Sequence, residues 1–474
     1  MRHGFTIAAI QSSTGKTTVS LGLMSALGRV GLRVAPFKIG PDFIDPGLHR
    51  VITGRTSYNL DTYMCGVDYV RELFYVKSAD ADVAIAEGVM GLFDGEHSST
   101  AAVARLLSLP VVLVLDVRGM AQSAAAIVAG VKGIDPGLSI AGVILNRVGS
   151  DRHYRLVRDA ITQHCDTTVL GCLPFASDVG LAQRHLGLFT AEDGCLNASL
   201  IEKLTSLIQD NIDLAALLKN TLSVAVRPCP TVNLEATNDR GVERLRVAVA
   251  RDNAFCFYYE DNLGLLQRQG IELIPFSPLT DEGLPDDIDG LYLGGGYPEI
   301  YAGRLSANTS MLEDIRRFVL SGGVTYAECG GFMYLLEGVT GLDGVFYTMV
   351  GVFPARAVMR DRRVALGYRE AVLRQDTIIG NRGDIVKGHE FHYSEVVEMP
   401  RDVKNVFDSP QVGWLSHNCL ASYIHLHFAS NPNILRCLFK PRKGKKEGRT
   451  PGRPSLRPTL QGEGWGTPAT KKSP

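Results

Sequence analysis

The sequence predicts an α/β protein with two domains, each a mainly parallel sheet flanked by helices. Short apolar runs alternate with helix-like segments in the first part of the chain: "FTIAAI", "VAPFKIG", "DVAIAEG", "VVLVLD", "IAGVILN" and "VLGCLP". After an irregular region the alternation restarts with "RLRVAVARD", "GIELIPFSP", "DGLYLGGG" and "GGVTYAECG". Continuous apolar strands between helices are typical of parallel sheets that are covered on both faces.

The length of the chain also requires more than one domain, because 474 residues exceed one ordinary core. We predict an α/β domain over 1–195, a helical extension and linker over 196–243, and a second α/β domain over 244–439. Residues 440–474 are basic and rich in Pro and Gly, which predicts a disordered tail. A solvated appendage is favoured there over a nucleic-acid-binding segment.

Composition limits the class of partner. Apolar residues make up 45% and charged residues 21%, a balance typical of a globular protein with ample core material. The formal net charge of -1 gives no field that would attract nucleic acid or an anionic membrane, so we expect a small-molecule partner. No signal peptide or membrane-spanning run is evident, which predicts a cytoplasmic location. The nine cysteines include no C-x-x-C pair, so neither a disulfide framework nor a zinc site is expected.

The segment "QSSTGKTTVSLGL" follows the first strand and opens a helix, where backbone amides can hold phosphates. We expect Lys16 on the β and γ phosphates of ATP and the hydroxyl of Thr17 on Mg²⁺. The usual spacing places glycine at position 10, where this chain has Ile10, so a polar turn is the alternative for the loop alone. The candidate ATP contacts of the loop are Ser12, Thr14, Gly15, Lys16, Thr17 and Thr18.

Carboxylates follow two further strands of the same predicted sheet. Asp42 and Asp45 come near the end of the second strand, and Glu87 ends the third. Because carboxyl ends of parallel strands meet at one edge, we predict that Asp45 and Glu87 bind Mg²⁺ directly or through water. Helix caps or turn residues are the alternative for each acid alone. Asn146 ends a later strand, where it could meet the adenine base or belong to a turn.

A second candidate site centres on Cys329 in "GGVTYAECGGFMYL". An apolar strand, a turn with the small residues Ala327 and Gly331, and a helix predict a nucleophile elbow. We expect the start of the helix to lower the pKa of the Cys329 thiol. An inert buried thiol is the alternative.

Further residues could complete this site. The backbone N–H of Gly330, with those of Gly294, Gly295 and Gly296 in "GGGYPE", could form an oxyanion hole. His425 and His427 in "SYIHLHF" alternate on one face of a presumed strand. One could deprotonate Cys329, and the other could orient it or line the pocket.

Ten ordered motifs resemble the cobyrinate a,c-diamide synthase family from Phe5 to about Asn433. The motifs are "KIGPDFIDPGLH", "NLDTYM", "AEGVMGLFDG", "RHLGL", "ARDNAFCFYYEDNL", "DGLYLGGGYPE", "YAECGGFMYL", "ALGYREA", "GHEFHYSE" and "HLHFASNP". The resemblance implies a dethiobiotin-synthetase-like ATP domain followed by a class I glutamine amidotransferase-like domain of flavodoxin-like fold. The implied reaction is the ATP- and glutamine-dependent amidation of the a and c acetate carboxylates of cobyrinate, a corrinoid, in cobalamin biosynthesis. Mg²⁺ is the implied cofactor.

The same resemblance assigns roles at matching positions. Cys329 matches the nucleophile and His425 the histidine that activates it. His427 stands where ordinary class I amidotransferases have a glutamate, so it is the candidate third member and an acidic one is absent. Asp42, Asp45 and Glu87 match acids linked to ATP, Mg²⁺ and substrate, with Asp42 assigned to the substrate or its activation. Two positions depart from the family: Ser13 replaces a glycine, and Gln183 replaces a glutamate.

Several alternatives stay open at this stage. Nickel-sirohydrochlorin a,c-diamide synthases share the site motifs, and hydrogenobyrinate is another conceivable substrate. A partition-type P-loop ATPase would leave the cysteine elbow unexplained, and the altered phosphate loop allows a corrinoid-binding protein that has lost ligase activity. A homodimer is one option for the oligomeric state.

Overall fold

The structure is a computed structural model that describes residues 3–95, 98–175, 190–221 and 244–439. Three predictions fall outside these ranges: the departure at Gln183, the 222–243 part of the extension and linker predicted over 196–243, and the basic tail from Lys440.

The first domain contains a seven-stranded sheet, and all its strand pairs are parallel. Its strands are β1 (His3–Ala9), β2 (Val34–Ile39), β3 (Tyr58–Leu60), β4 (Val83–Glu87), β5 (Val111–Asp116), β6 (Ile140–Val148) and β7 (Val169–Pro174). They lie in the order β3-β2-β4-β1-β5-β6-β7. The six apolar runs of the sequence form β1, β2 and β4 to β7. The short β3 was not predicted, so Glu87 ends the fourth strand rather than the third.

Helices connect these strands and continue beyond the last one. They are α1 (Lys16–Arg29), α2 (Ile44–Thr53), α3 (Thr62–Cys65), α4 (Val67–Ser78), α5 (Thr100–Leu106), α6 (Ala124–Ile134), α7 (Asp151–Cys165), α8 (Ala198–Asn211) and α9 (Leu214–Asn220). A 3₁₀ turn, Ala191–Asp193, precedes α8. The predicted helical extension therefore contains α8 and α9. Helix α8 packs on α1, where the hydroxyls of Ser25 and Thr205 lie 2.6 Å apart.

The second domain is built on another seven-stranded sheet and two smaller ones. Its strands are β8 (Arg246–Ala250), β9 (Glu272–Phe276), β10 (Gly290–Leu293), β11 (Val324–Glu328), β12 (Leu336–Thr340), β13 (Phe346–Thr348), β14 (Phe353–Met359), β15 (Ala365–Val372), β16 (Ile385–His392), β17 (Ser394–Val397), β18 (Lys404–Asn405), β19 (Gly413–Ser416), β20 (Cys419–Ser422) and β21 (His425–Leu426). The helices are α10 (Glu260–Arg268), α11 (Ala302–Ala307), α12 (Thr309–Leu320), α13 (Gly330–Leu335) and α14 (Pro432–Cys437), and a 3₁₀ turn covers Phe428–Ser430.

The large sheet has the order β18-β19-β20-β11-β10-β8-β9. The five neighbouring strands β20, β11, β10, β8 and β9 pair in parallel. Strand β19 pairs antiparallel with β20, and β18 pairs antiparallel with β19. The prediction of two mainly parallel α/β domains is therefore confirmed. The smaller sheets, β13-β12-β14-β17 and β15-β16-β21, were not predicted.

A hydrophobic cluster joins the two domains. It contains Phe37 and Leu73 from the first domain and Tyr292 and Phe428 from the second, all almost completely buried. Burial of shared apolar surface stabilises the contact between the domains. Among the helices of the described ranges, none has both the length and the apolarity needed to cross a bilayer.

Candidate active sites

The phosphate loop connects β1 to α1 through a left-handed backbone. Ser13 has a φ of 62°, and Gly15, at the start of α1, has a φ of 94°. Side chains with a Cβ are disfavoured in this region, so glycine would fit the position of Ser13 without strain. The departure at Ser13 therefore adds backbone strain to a loop that keeps its left-handed path.

Lys16 lies across the mouth of this loop. Its ammonium group donates to the carbonyl oxygen of Gln11 at 3.1 Å and to that of Met90 at 2.5 Å. Burial and the neighbouring Lys38 lower the pKa of Lys16. The side chain is thus held at the loop, where a phosphate could replace these carbonyl contacts.

Asn146 and Arg147 support the loop from β6. The side-chain amide of Asn146 donates to the carbonyl of Thr14 at 2.7 Å, and its oxygen accepts from the backbone N–H of Arg147 at 2.9 Å. The guanidinium of Arg147 donates to the carbonyl of Ser13 at 3.0 Å. Asn146 therefore helps to shape the loop from its buried position at the end of β6, and its contact with adenine stays a prediction.

The structure brings Thr17, Asp45 and Glu87 together at the carboxyl edge of the sheet. The Thr17 hydroxyl donates to Glu87 at 2.8 Å and lies 3.4 Å from both carboxylate oxygens of Asp45. Lys38, a residue that sequence reasoning missed, donates to Asp45, and to Glu87 at 3.2 Å. A lysine within the otherwise apolar run "VAPFKIG" was the available signal, since a buried ammonium requires a carboxylate partner.

His49, also missed, contacts the other oxygen of Glu87. Its Nε2 lies 2.8 Å from Glu87 Oε2, and its Nδ1 lies 3.0 Å from the hydroxyl of Ser57. Burial alone would raise the pKa of Glu87, but Lys38, His49 and Thr17 hold that pKa well below its usual value. Glu87 is therefore an ionised carboxylate at neutral pH.

These oxygens suit a magnesium ion. Hard cations prefer carboxylate and hydroxyl oxygens, and Mg²⁺ commonly takes its remaining ligands from nucleotide phosphates and water. No group of three or more His, Cys, Asp and Glu side chains within the described ranges is arranged to enclose a metal by itself. Thr17, Asp45 and Glu87 are the residues that would hold Mg²⁺ together with a nucleotide, and this role stays a prediction.

The two carboxylate oxygens of Asp42 have different surroundings. Its Oδ1 accepts from the backbone N–H groups of Ile44 at 2.8 Å and Asp45 at 3.0 Å, at the start of α2. Its Oδ2 lies 3.8 Å from the ammonium of Lys38. One oxygen thus fixes the loop, and the other faces the cluster of charges.

Cys329 occupies a sharp turn between β11 and α13. Its φ of 48° and ψ of −104° place a non-glycine residue in a strained conformation, as expected of a nucleophile elbow. A Cβ at Gly331 would lie 2.3 Å from the carbonyl oxygen of Leu293, so the close packing of strand and helix requires glycine there. The Cys329 sulfur lies 3.9 Å from the carbonyl oxygen of Phe391.

The expected lowering of the thiol pKa was wrong for the structure as it stands. Burial, with a contribution from Glu299, raises the pKa of Cys329 well above its ordinary value, although the N–H of Gly330 acts in the opposite direction. Helix α13 has only six residues, so its dipole is small compared with the cost of desolvation. A nearby base is therefore needed to remove the thiol proton.

Two of the four amides expected in the oxyanion hole are bonded within the fold. The N–H of Gly294 donates to the hydroxyl of Tyr258 at 2.9 Å, and that of Gly295 donates to the carbonyl of Phe257 at 3.2 Å. A Cβ at Gly330 would lie 3.0 Å from the nitrogen of Gly296, so these two residues are direct neighbours. The amides of Gly296 and Gly330 remain as the oxyanion candidates.

His425 is buried beside the glycine loop. A Cβ at Gly295 would lie 2.3 Å from Cε1 and 3.0 Å from Nε2 of His425. On the other side of the ring, Nδ1 lies 3.9 Å from a carboxylate oxygen of Glu328. Burial, together with His389 and His392, lowers the pKa of His425 to about 3, so the ring is neutral and able to accept a proton.

His427, the candidate third member, makes contacts with other parts of the second domain. His427 follows the end of β21, where its Nδ1 accepts from the backbone N–H of Ala429 at 3.3 Å. Its Nε2 lies 4.0 Å from Asp261, and its ring packs on Tyr259. An acid does lie beside His425, contrary to the expectation, but it is Glu328, the residue that precedes the nucleophile.

A nucleotide site and a cysteine–histidine site in one chain define the class of protein: a glutamine-dependent amidating ligase with two α/β domains. Comparison with protein families agrees with this class. A family model for the CobQ/CobB/MinD/ParA nucleotide binding domain matches residues 5–188. Another, for the CobB/CobQ-like glutamine amidotransferase domain, matches residues 246–433.

Curated relatives cover nearly the whole chain. A cobyrinate a,c-diamide synthase of Dehalococcoides mccartyi is 42% identical over 455 residues, which cover 92% of this chain and 98% of the relative. Proteins of the same name from Salmonella typhimurium, 42% identical, and Picrophilus torridus, 43% identical, cover 92% and 90% of this chain and 97% and 96% of their own. The chain belongs to the cobyrinate a,c-diamide synthase family, which confirms the resemblance found in the motifs.

Proposed function

We propose that this protein converts cobyrinate to cobyrinate a,c-diamide, using ATP to activate each acetate carboxylate and glutamine as the source of nitrogen. The observation that carries the proposal is the pairing of two sites: the Lys16 and Glu87 cluster of the first domain and the Cys329 elbow of the second. The relatives named above favour cobyrinate over nickel-sirohydrochlorin and hydrogenobyrinate. An amidotransferase domain argues against a partition-type ATPase.

At the second site, Cys329 attacks the side-chain carboxamide carbon of glutamine while His425 accepts the thiol proton. The amides of Gly296 and Gly330 then hold the oxyanion of the tetrahedral intermediate. His425 returns the proton to the departing nitrogen, which releases ammonia and leaves a thioester on Cys329. Water hydrolyses the thioester to glutamate and restores the thiol.

At the first site, a corrinoid carboxylate attacks the γ phosphate of ATP and releases ADP. Lys16 and the loop residues Ser12, Thr14 and Gly15 hold the phosphates, and Thr18 lies beside them. Mg²⁺ bound by Thr17, Asp45 and Glu87 would neutralise phosphate charge. Asp42 acts on the substrate side of this cluster. Ammonia then attacks the acyl phosphate, which gives the amide and releases phosphate.

We further propose that the domain limits are those predicted: a synthetase domain over 1–195, an extension and linker over 196–243, an amidotransferase domain over 244–439 and a tail over 440–474. A cytoplasmic protein that acts on small molecules, without nucleic-acid or membrane partners, agrees with the net charge of -1. Sedimentation of the purified chain would decide between a monomer and a homodimer.

The deciding experiment is mass spectrometry of the product formed from cobyrinate, ATP, Mg²⁺ and amide-¹⁵N glutamine. We expect two labelled amides per corrinoid. Parallel reactions with nickel-sirohydrochlorin and hydrogenobyrinate test the substrate, and greater turnover of either would overturn the choice of cobyrinate. Cys329→Ser should abolish glutamine-dependent amidation but keep amidation from added ammonium. Unchanged glutamine hydrolysis in this variant would contradict the assigned nucleophile.

A further inference from the structure

Glu328 is the acid that faces the catalytic histidine. Its Oε2 lies 3.9 Å from His425 Nδ1, and both residues are almost completely buried. Within the described part of the chain, His425 Nδ1 is a buried nitrogen without a hydrogen-bond partner. A buried polar atom of this kind costs free energy unless a small movement gives it a partner, and Glu328 is placed to be that partner.

The Glu328 carboxylate is held in place by three donors. Its Oε1 accepts from the Tyr326 hydroxyl at 2.7 Å and from the backbone N–H of Leu426 at 3.0 Å, and its Oε2 accepts from the Tyr292 hydroxyl at 3.0 Å. Leu426 follows His425 directly, so the carboxylate is tied to the backbone that carries the histidine. These contacts fix the acid at the Nδ1 side of the ring, while Nε2 faces the loop of Gly295.

We propose that Glu328 is the third member of the glutaminase site and positions His425 by accepting a hydrogen bond from Nδ1–H. This contact selects the tautomer in which Nε2 accepts the Cys329 proton, and the carboxylate then stabilises the imidazolium that forms. The nucleophile and its acid are therefore adjacent in sequence.

Glu328→Gln tests the proposal, because it keeps the volume and an acceptor oxygen but cannot carry charge. We expect glutaminase kcat to fall by about 100-fold or more with little change in the KM for glutamine, since the lost interaction strengthens in the transition state. The pH dependence of kcat should change as well, whereas ammonium-dependent amidation should stay within about threefold of wild type and show that the fold is intact.

Glu390→Gln is the matched control. Glu390 also acts on His425 through its charge, but its hydrogen bonds are to Arg369 and His392, so we expect a clearly smaller loss of kcat. A wild-type kcat and pH profile in Glu328→Gln would overturn the proposal. An equal loss of glutamine- and ammonium-dependent activity would also overturn it, because that result indicates a structural role.

A second, independent observation concerns Phe43 in the synthetase loop. Its ring packs against three rings of the amidotransferase domain, with centroid distances of 4.6 Å to His425, 4.7 Å to Tyr259 and 5.4 Å to Phe257. A residue of the first domain thus touches the catalytic histidine of the second. In sequence, Phe43 lies between Asp42 and Asp45, the two acids placed at the nucleotide and substrate site.

The backbone links the position of Phe43 to those acids. Asp42 Oδ1 accepts from the N–H groups of Ile44 and Asp45, so residues 42–45 form one capped turn at the start of α2. A shift of either carboxylate on ligand binding would move the turn as a unit, and the Phe43 ring with it. Contact with this ring limits the positions open to the His425 imidazole.

We infer that Phe43 positions His425 according to the occupancy of the synthetase site, so that glutamine hydrolysis speeds up when ATP and corrinoid are bound. The inference rests on the proposed function of the first site. It is carried by the ring contacts and by the position of Phe43 within the capped turn. Coupling of this kind limits the loss of ammonia when no acyl phosphate is available.

Phe43→Leu tests this inference, since leucine keeps an apolar side chain but not the flat ring. In wild type we expect ATP with cobyrinate to raise the glutaminase rate and to give close to one glutamine hydrolysed per amide formed. In Phe43→Leu we expect the stimulation to disappear and more glutamine to be used per amide, while ammonium-dependent amidation is retained.

Tyr368→Phe is the control, because it removes another contact between the domains, the 2.6 Å hydrogen bond from the Tyr368 hydroxyl to Asp61. It should keep the stimulation. Wild-type stimulation and stoichiometry in Phe43→Leu would overturn the inference. The inference would also be overturned if the wild-type enzyme formed the diamide but its glutaminase rate did not rise with ATP and cobyrinate. If the wild-type enzyme formed no diamide, the proposed function would be overturned instead.

Discussion

The glycine beside the catalytic histidine offers a sharp test of the glutaminase site. Gly295 does not have a left-handed φ, so alanine fits its backbone. The added Cβ, however, would lie 2.3 Å from Cε1 and 3.0 Å from Nε2 of His425. His425 is 2% exposed, and the Phe43 ring packs on its imidazole. Gly295→Ala should therefore displace an imidazole ring that has little free space.

The size of the effect follows from the overlap. Carbon atoms pack at about 3.5 to 4 Å, so relief of the clash requires a movement of roughly 1 Å. A displacement of that size at a catalytic group costs about 100-fold in rate, or about 2.7 kcal/mol of transition-state stabilisation. We therefore expect Gly295→Ala to lower glutaminase kcat by about 100-fold.

The assay compares glutamine hydrolysis with ammonium-dependent amidation in the same preparation. Only the first should fall, because the synthetase site is not touched. Gly303→Ala in α11 is the matched control, since its Cβ would meet Tyr347 at an ordinary distance of 3.5 Å. Glutaminase activity of Gly295→Ala within about threefold of wild type would refute the placement of His425 beside this loop.

Three further predictions concern the first domain and the interface. Lys38→Met leaves Asp45 and Glu87 without their buried cation, so we expect loss of ammonium-dependent amidation. The free energy of unfolding, measured with urea, should decrease by about 3 to 5 kcal/mol. Unchanged stability would contradict the buried charge cluster. Ser13→Gly should raise the free energy of unfolding by about 1 kcal/mol, because glycine adopts the left-handed φ without strain. ATP affinity measured by calorimetry should not weaken. A lower stability of Ser13→Gly would argue against strain at Ser13. Burial and Arg369 lower the pKa of His389 to about 4, below the 6.5 of the unfolded chain, so between these values the unfolded state binds more protons and stability falls as pH falls. Relative to wild type, His389→Gln should therefore gain about 2 kcal/mol in unfolding free energy between pH 7 and pH 5, and a difference that does not vary with pH would contradict a neutral His389 in the folded state.

Much of the fold could be predicted because its signals are local. The ten apolar runs quoted from the sequence all form strands of the two large sheets, since each run specifies a buried strand within a few residues. The short β3 has only three residues, and the hairpin of β15 and β16 is partly exposed, so neither gives a clear pattern. These elements depend on neighbours that are distant in sequence.

The candidate sites divide in the same way. The strand–turn–helix pattern around Cys329 and the loop around Lys16 can be recognised from adjacent residues, because backbone geometry there is set by a few small side chains. Which amides remain available at Gly294, Gly295 and Gly296 depends on contacts with Tyr258 and Phe257, some 36 residues away. The sequence alone therefore predicted two amides that are bonded elsewhere.

By itself, the sequence determined two α/β domains, a phosphate loop, a cysteine elbow and the family to which the chain belongs. Only the tertiary structure showed that Lys38 joins the carboxylates, that Glu328 rather than His427 faces His425, and that Phe43 touches the histidine of the other domain. The physical reason is that a buried charge or ring takes its role from the groups packed against it. Those groups meet only when strands and helices from distant parts of the chain share one core.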